Sequence, residues 1–233
     1  MTRMASFNVL TEGWIPVTRP DGGREELGIL ETLRRAHEFA AIRDPSPLVE
    51  FGLHRLLVAF VLDALAEAGS APEYPLDLKD LLRAGRFDAP LLENYARKCG
   101  DVFDLFAPER PFLQTAGAAG GEKPLAALYP AVPSGTNVHH WHHEVESAMT
   151  ARPAGAARLL TTLAPFMTAG GAGLSPSING APAIYALPTG DSLFETLVLN
   201  IPIRQADTGS GRVAWRDSRI PGGERSQATM GEA

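Results

Sequence analysis

Apolar positions recur along this chain at two periods, and the switch between them divides it. Residues 7–10 (FNVL) and 14–18 (WIPVT) read as strand segments, and the turn at Pro20, Asp21, Gly22 and Gly23 leads into a short return strand. An N-terminal β-hairpin is the expectation. From Glu31 to Ala41 the spacing becomes helical, until the breaker Asp44-Pro45-Ser46-Pro47 stops it. Ser46 as N-cap and Pro47 at the first helical position then open the strongest helix. In it Val49, Leu53, Leu56, Leu57, Phe60, Val61 and Leu65 recur at i, i+4, i+7 spacing up to Gly69. Asp77 and Asp88 are candidate N-caps for two more helices, with Gly85 and Gly100 as their stops. Residues 31–100 are therefore expected to form a helical layer.

Beyond Asp101 prolines and glycines interrupt every period, and long irregular stretches of that kind tend to be binding loops or disordered segments. Periodicity returns over about 153–167, where Leu159, Leu160 and Leu163 mark a helix that runs into the glycine-rich turn 169–173 (AGGAG). Ser192 and Glu195 make a capping box for a last helix over 193–200. The pattern predicts a mainly helical α+β domain over residues 1–205. Residues 206–233, rich in Gly, Ser, Arg and Pro, read as a linker toward a missing C-terminal part.

Composition narrows the function. A chain of 233 residues, 45% hydrophobic, can bury a large core, and its formal charge of −6 argues against gripping nucleic acid by bulk electrostatics. The acidic excess lies in residues 1–150. Downstream, Arg204, Arg212, Arg216, Arg219 and Arg225 are suited to phosphate contact, although arginines on solvated loops are the commoner case. One cysteine, Cys99, excludes an intrachain disulfide and fits a reducing cytoplasm. The N-terminus lacks the apolar region of a signal peptide, and no uncharged stretch is long enough to span a membrane.

Two clusters carry candidate chemistry. Residues 139–144 (HHWHHE) hold four of the six histidines. They admit three readings: a zinc site, an aromatic platform for a base, or a solvated loop. Adjacent histidines seldom converge tetrahedrally, and a His-Glu-x-x-His motif is absent. The zinc-hydrolase alternative centred on His139, His140, His142, His143 and Glu144 is thus the lesser one, and neither metal nor cofactor is expected. In the second cluster Gly170, Gly171 and Gly173 have neither dinucleotide-binding spacing nor a Walker lysine. They allow close backbone approach to another chain, including the floor of a DNA minor groove. A plain C-cap followed by a loop fits equally well. With no nucleophile elbow, paired catalytic carboxylate or Cys-His arrangement, nothing here requires an enzyme.

Residues 8–17 (NVLTEGWIPV), 108–114 (PERPFLQ), 133–137 (PSGTN), the glycine turn and 193–200 (LFETLVLN), taken in order, resemble a known family. It is the N-terminal domain of CasA, the large subunit of the type I-E CRISPR Cascade complex. The resemblance implies a non-catalytic role with CRISPR RNA, double-stranded target DNA, other Cascade subunits and a helicase-nuclease effector as partners. It places protospacer-adjacent-motif reading on Gly170, Gly171 and Gly173 in the minor groove. Contact with the RNA 5′ handle or motif falls to a loop near Asn137, His139, His140 and Trp141. The family's lysine finger, glutamine wedge and C-terminal helical bundle would lie beyond Ala233. Some relatives also place zinc-binding cysteines near the histidine cluster, where this chain has none. A purely structural assembly subunit is the remaining alternative.

Overall fold

The computed structural model describes residues 6–114, 125–129, 150–166, 184–203 and 213–216. Strands β1 (Ile15–Thr18) and β2 (Arg24–Leu27) form the hairpin, with Ile15 opposite Leu27 and Thr18 opposite Arg24. Gly22 has a φ of +88°, the left-handed conformation that the reversal requires. The other edge of β1 pairs antiparallel with β3 (Ala41–Ile42), giving the order β2-β1-β3.

That third strand corrects the reading of 31–41 as one helix. Helix α1 (Ile29–Arg34) is short, a 3-10 turn follows at Ala36–Glu38, and the chain then pairs with Thr18 and Val17. Burying Phe39 and Ile42, both at most 1% exposed, against the sheet outcompetes continuing the helix. The FNVL segment differs as well. It forms one bridge, Asn8 to Asp104, with Val9 N–H donating to Phe103 O and Leu105 N–H to Phe7 O. Asp104 strengthens this seam, since its carboxylate accepts from the Ser6 hydroxyl and from the Phe7 and Phe106 amides. Burial pushes its pKa up, and these hydrogen bonds outweigh that and hold it below the usual carboxylate value.

Helix α2 (Pro47–Glu67) is the axis of the fold. Ser46 occupies its N-cap position without a side-chain capping bond, and Gly69 ends it at a φ of +69°. Helix α3 (Pro75–Ala84) begins two residues before Asp77, so Asp77 is not its N-cap. It is the third residue of the first turn, where its carboxylate accepts from the Glu73 and Tyr74 amides at 2.9 and 2.8 Å. Asp88 does cap α4 (Ala89–Cys99), accepting from Leu91 N–H. Gly85 ends α3 in the left-handed conformation, whereas Gly100 is right-handed and carries α4 into a 3-10 turn, Gly100–Phe103. A further 3-10 turn lies at Leu125–Leu128. Helix α5 (Pro153–Phe166) packs along α2. Helix α6 (Leu193–Leu199), capped by Ser192, donates its first amide to Phe39 O. The fold is mainly helical α+β, as expected.

The core is one apolar cluster threaded by rings. Trp14 meets Phe112 edge-on at 6.2 Å, Phe112 stacks on Phe103 at 5.5 Å, and Phe103 contacts Phe60 and Trp215. Three of the stretches that carried the resemblance are core: Val9, Trp14 and Val17 in the first, Phe112 in the second, Phe194 and Val198 in the last.

Candidate nucleic-acid interface

Asn137, His139, His140 and Trp141 lie outside the described residues, as do Gly170, Gly171 and Gly173. What the described residues supply is the frame on which both stretches are mounted. Helix α5 stands between them, beginning three residues after residue 150 and ending at Phe166, directly ahead of the glycine turn. Its 14 residues set its two ends roughly 20 Å apart.

Three features hold α5 in place. The first is Gly52 of α2, where a Cβ would stand 2.5 Å from Thr161 Oγ1 and 2.7 Å from the Thr161 carbonyl oxygen. Only a glycine lets the two helices approach this closely. The second is Arg158, whose side chain is 18% exposed and donates to Trp14 O at 2.6 Å and to Glu26, with Asp44 at 3.5 Å. It fastens the middle of α5 to the hairpin. The third is a trio of rings where α5 ends. Phe51 lies 4.4 Å from Tyr185 and 5.6 Å from Phe166, and Phe166 meets Tyr185 edge-on at 5.5 Å. The Tyr185 hydroxyl donates to Pro165 O at 2.8 Å. Apolar spacing alone does not single out these residues, because it cannot say which partner a half-buried ring will meet.

At the far end of α2 the candidate phosphate-binding Arg216 proves structural. It pairs with Asp63 at 2.5 Å and Glu67 at 2.9 Å and lies over the Tyr95 ring. Burial pushes its pKa down, but the Tyr95, Glu67 and Asp63 contacts outweigh that and raise it. A short 3-10 turn, Ala214–Arg216, presents Trp215, 8% exposed, whose indole N–H donates to Tyr95 Oη at 2.7 Å. Tyr95 donates in turn to Asp63. Burial first and Asp63 second raise the Tyr95 pKa, the opposite of what a phenol acting as acid or base near neutrality needs. Arg204, Arg212, Arg219 and Arg225 lie outside the described residues.

A cleft of about 750 Å³ opens beside α1, α3 and α4, floored by Val61, Leu65 and Phe87 with Arg34 and Arg35 at its edge. Arg34 is paired with Glu31 and Glu93, and Arg35 with Glu25 and Glu38. Hydrogen bonds from Arg35 and Arg19 keep the Glu25 pKa below its ordinary value. Those charges are engaged with one another and do not converge on the cleft. Among the described residues, no group of three or more His, Cys, Asp or Glu side chains is placed to hold a metal ion, and no helix is long and apolar enough to cross a membrane. Cys99 is a half-buried free thiol.

Fold and frame define a mainly helical α+β domain in which one helix, α5, lies between the two stretches in sequence. A family model described as CRISPR-associated protein Cse1 matches residues 8–232, and the chain belongs to that family. It is 38% identical over 239 residues to CRISPR-associated protein CasA/Cse1 of Thermus thermophilus, covering 92% of this chain and 46% of that protein. The crystal structure of Thermobifida fusca Cse1 superposes with a TM-score of 0.71 at 26% identity, over 91% of this chain and 43% of that one. A chain of a CRISPR RNA-guided surveillance complex shares the fold with a TM-score of 0.71 at 24% identity, over 92% of this chain and 47% of the other. The chain thus spans less than half the length of these relatives.

Proposed function

We propose that this chain acts as a non-catalytic nucleic-acid-binding part of the large subunit of a type I-E Cascade complex in the cytoplasm. The observation that supports this most is a family match running from residue 8 to residue 232, through both stretches mounted on α5. In this reading Gly170, Gly171 and Gly173 enter the minor groove of the protospacer-adjacent motif, where a Cβ would clash with the groove floor. Minor-groove readout separates mainly A·T from G·C, which suits tolerance of several motif sequences. Asn137, His139, His140 and Trp141 meet the 5′ handle of the CRISPR RNA or the motif, rings stacking on unpaired bases. Partners are the CRISPR RNA, double-stranded target DNA, the other Cascade subunits and the helicase-nuclease that the complex recruits. The globular unit proposed over residues 1–205 also takes in Trp215 and Arg216, which dock on α2 and α4, and leaves the rest of 206–233 as linker in this reading.

The test is target-DNA binding by Cascade assembled with the full-length subunit, wild type against Gly171→Asp, on duplexes with and without a correct adjacent motif. A loss confined to motif-bearing DNA is expected. Unchanged binding by a variant that folds and assembles would move the DNA-reading role away from this turn.

A further inference from the structure

The ring trio beside α5 brings together residues on either side of 167–183. Phe166 is the last residue of α5, and Tyr185 lies just beyond the glycine-bearing stretch. Both rings rest on one residue, Phe51 of α2, at 5.6 and 4.4 Å. The chain that leaves α5 therefore returns to the point it left. Two further details fasten that point. Pro165 lies in the last turn of α5, where helix carbonyls have no partner within the helix, and the Tyr185 hydroxyl supplies its carbonyl with a donor. Gly52, next to Phe51, admits α5 to contact distance at Thr161, in the turn before its last. The contrast in exposure is sharp: Tyr185 is 37% exposed on this clamp, whereas its neighbour Ile184 is 99% exposed.

We propose that Phe51, Phe166 and Tyr185 are positioning residues for adjacent-motif recognition, an inference that rests on the reading of Gly170, Gly171 and Gly173 given above. Bringing the ends of a long loop together costs conformational entropy that grows with its length. A clamp that meets this cost during folding leaves less of it to be met when DNA binds, which is how preorganisation raises affinity. The ring pairs hold the two ends, the tyrosine hydroxyl sets their register, and both ends of the glycine-bearing stretch are thereby fixed to α2. None of the three residues needs to touch DNA.

The experiment compares Phe51→Leu, Tyr185→Ala and Tyr185→Phe with Gly171→Asp in the assembled complex containing the full-length subunit. It measures affinity for duplexes with and without the motif. Phe51→Leu and Tyr185→Ala each lose two ring pairs and are expected to weaken motif-bearing DNA about tenfold while leaving motif-free DNA and assembly unchanged. Tyr185→Phe keeps the rings and loses only the hydroxyl bond, so its expected loss is smaller, about threefold. If Phe51→Leu and Tyr185→Ala match wild type while Gly171→Asp fails, the trio is packing only and the clamp is overturned, with the glycine reading intact. If Gly171→Asp also matches wild type, the glycine reading falls and the clamp falls with it. Equal losses on both duplexes would also overturn the proposal, since they mark a general defect in the subunit.

Discussion

The two ends of α2 are held by different physics, though they belong to one helix of 21 residues, roughly 30 Å long. At its C-terminal end Asp63 and Glu67 engage Arg216, Lys98 and Tyr95, and Trp215 closes over them. At its N-terminal end Gly52 admits a neighbouring helix and Phe51 gathers two rings. The first arrangement captures a distant segment through directional polar bonds and tolerates only that segment. The second sets a helix separation and a point of return. On the function proposed here, the frame must be kept while a recognition stretch is presented, and that needs both.

The largest effect expected from breaking this contrast is at the polar end. Trp215→Ala removes a ring that packs on Phe60 and Phe103 and leaves the Tyr95 hydroxyl without its indole donor. A loss of about 3–5 kcal/mol in unfolding free energy is expected by denaturant titration. A change within experimental scatter would mean that residues 213–216 are not part of the folded unit.

Gly52→Ala comes next, at about 1–3 kcal/mol, because the added methyl meets the Thr161 backbone and α5 must shift. Its signature differs from that of Trp215→Ala. Combining it with a second change, Thr161→Ala, relieves only the hydroxyl contact and leaves the carbonyl clash, so partial recovery is expected. Full recovery would show that the side chain alone sets the helix separation.

The smallest effect is a pH dependence. His54 is 6% exposed on α2, and its Nδ1 lies 2.7 Å from Glu50 O, so Nδ1 carries the proton that donates. Burial pushes its pKa below the ordinary value of 6.5, with the nearby Arg43 charge a lesser contribution in the same direction. Near and below that value the unfolded chain binds the proton more readily, so stability is complete above about pH 6.5 and falls as the pH drops through it. Unfolding midpoints measured from about pH 8 to about pH 5.5 are expected to decline for the wild type and to flatten for His54→Asn. A wild-type profile that is already flat would show that the imidazole is hydrated in the folded state.

Much of the frame was legible before any coordinates. The α2 helix followed from its apolar period, the hairpin from its turn residues, and Asp88 and Ser192 from their capping chemistry. Each is a local signal, decided within a few residues. Where reading failed, a distant partner had intervened. The expected helix over 31–41 broke because Ala41 and Ile42 could pair with β1. Asp77 moved inside its helix because Pro75 opened it earlier. Arg216, one of five arginines that composition offers to phosphate, was taken by carboxylates about 150 positions away in sequence.

The sequence by itself determined the fold class, the helix boundaries at Pro47, Gly85 and Asp88, and the Cse1 family, because each rests on short-range pattern or on the order of core-forming stretches. Only the tertiary structure decided that Phe51, Phe166 and Tyr185 meet, that Gly52 sets the approach of α5, and that Trp215 and Arg216 dock on α2 and α4. A half-buried ring, a glycine in a helix or an arginine in a loop has no preferred partner in its own neighbourhood. Its role is assigned when packing brings distant parts of the chain together.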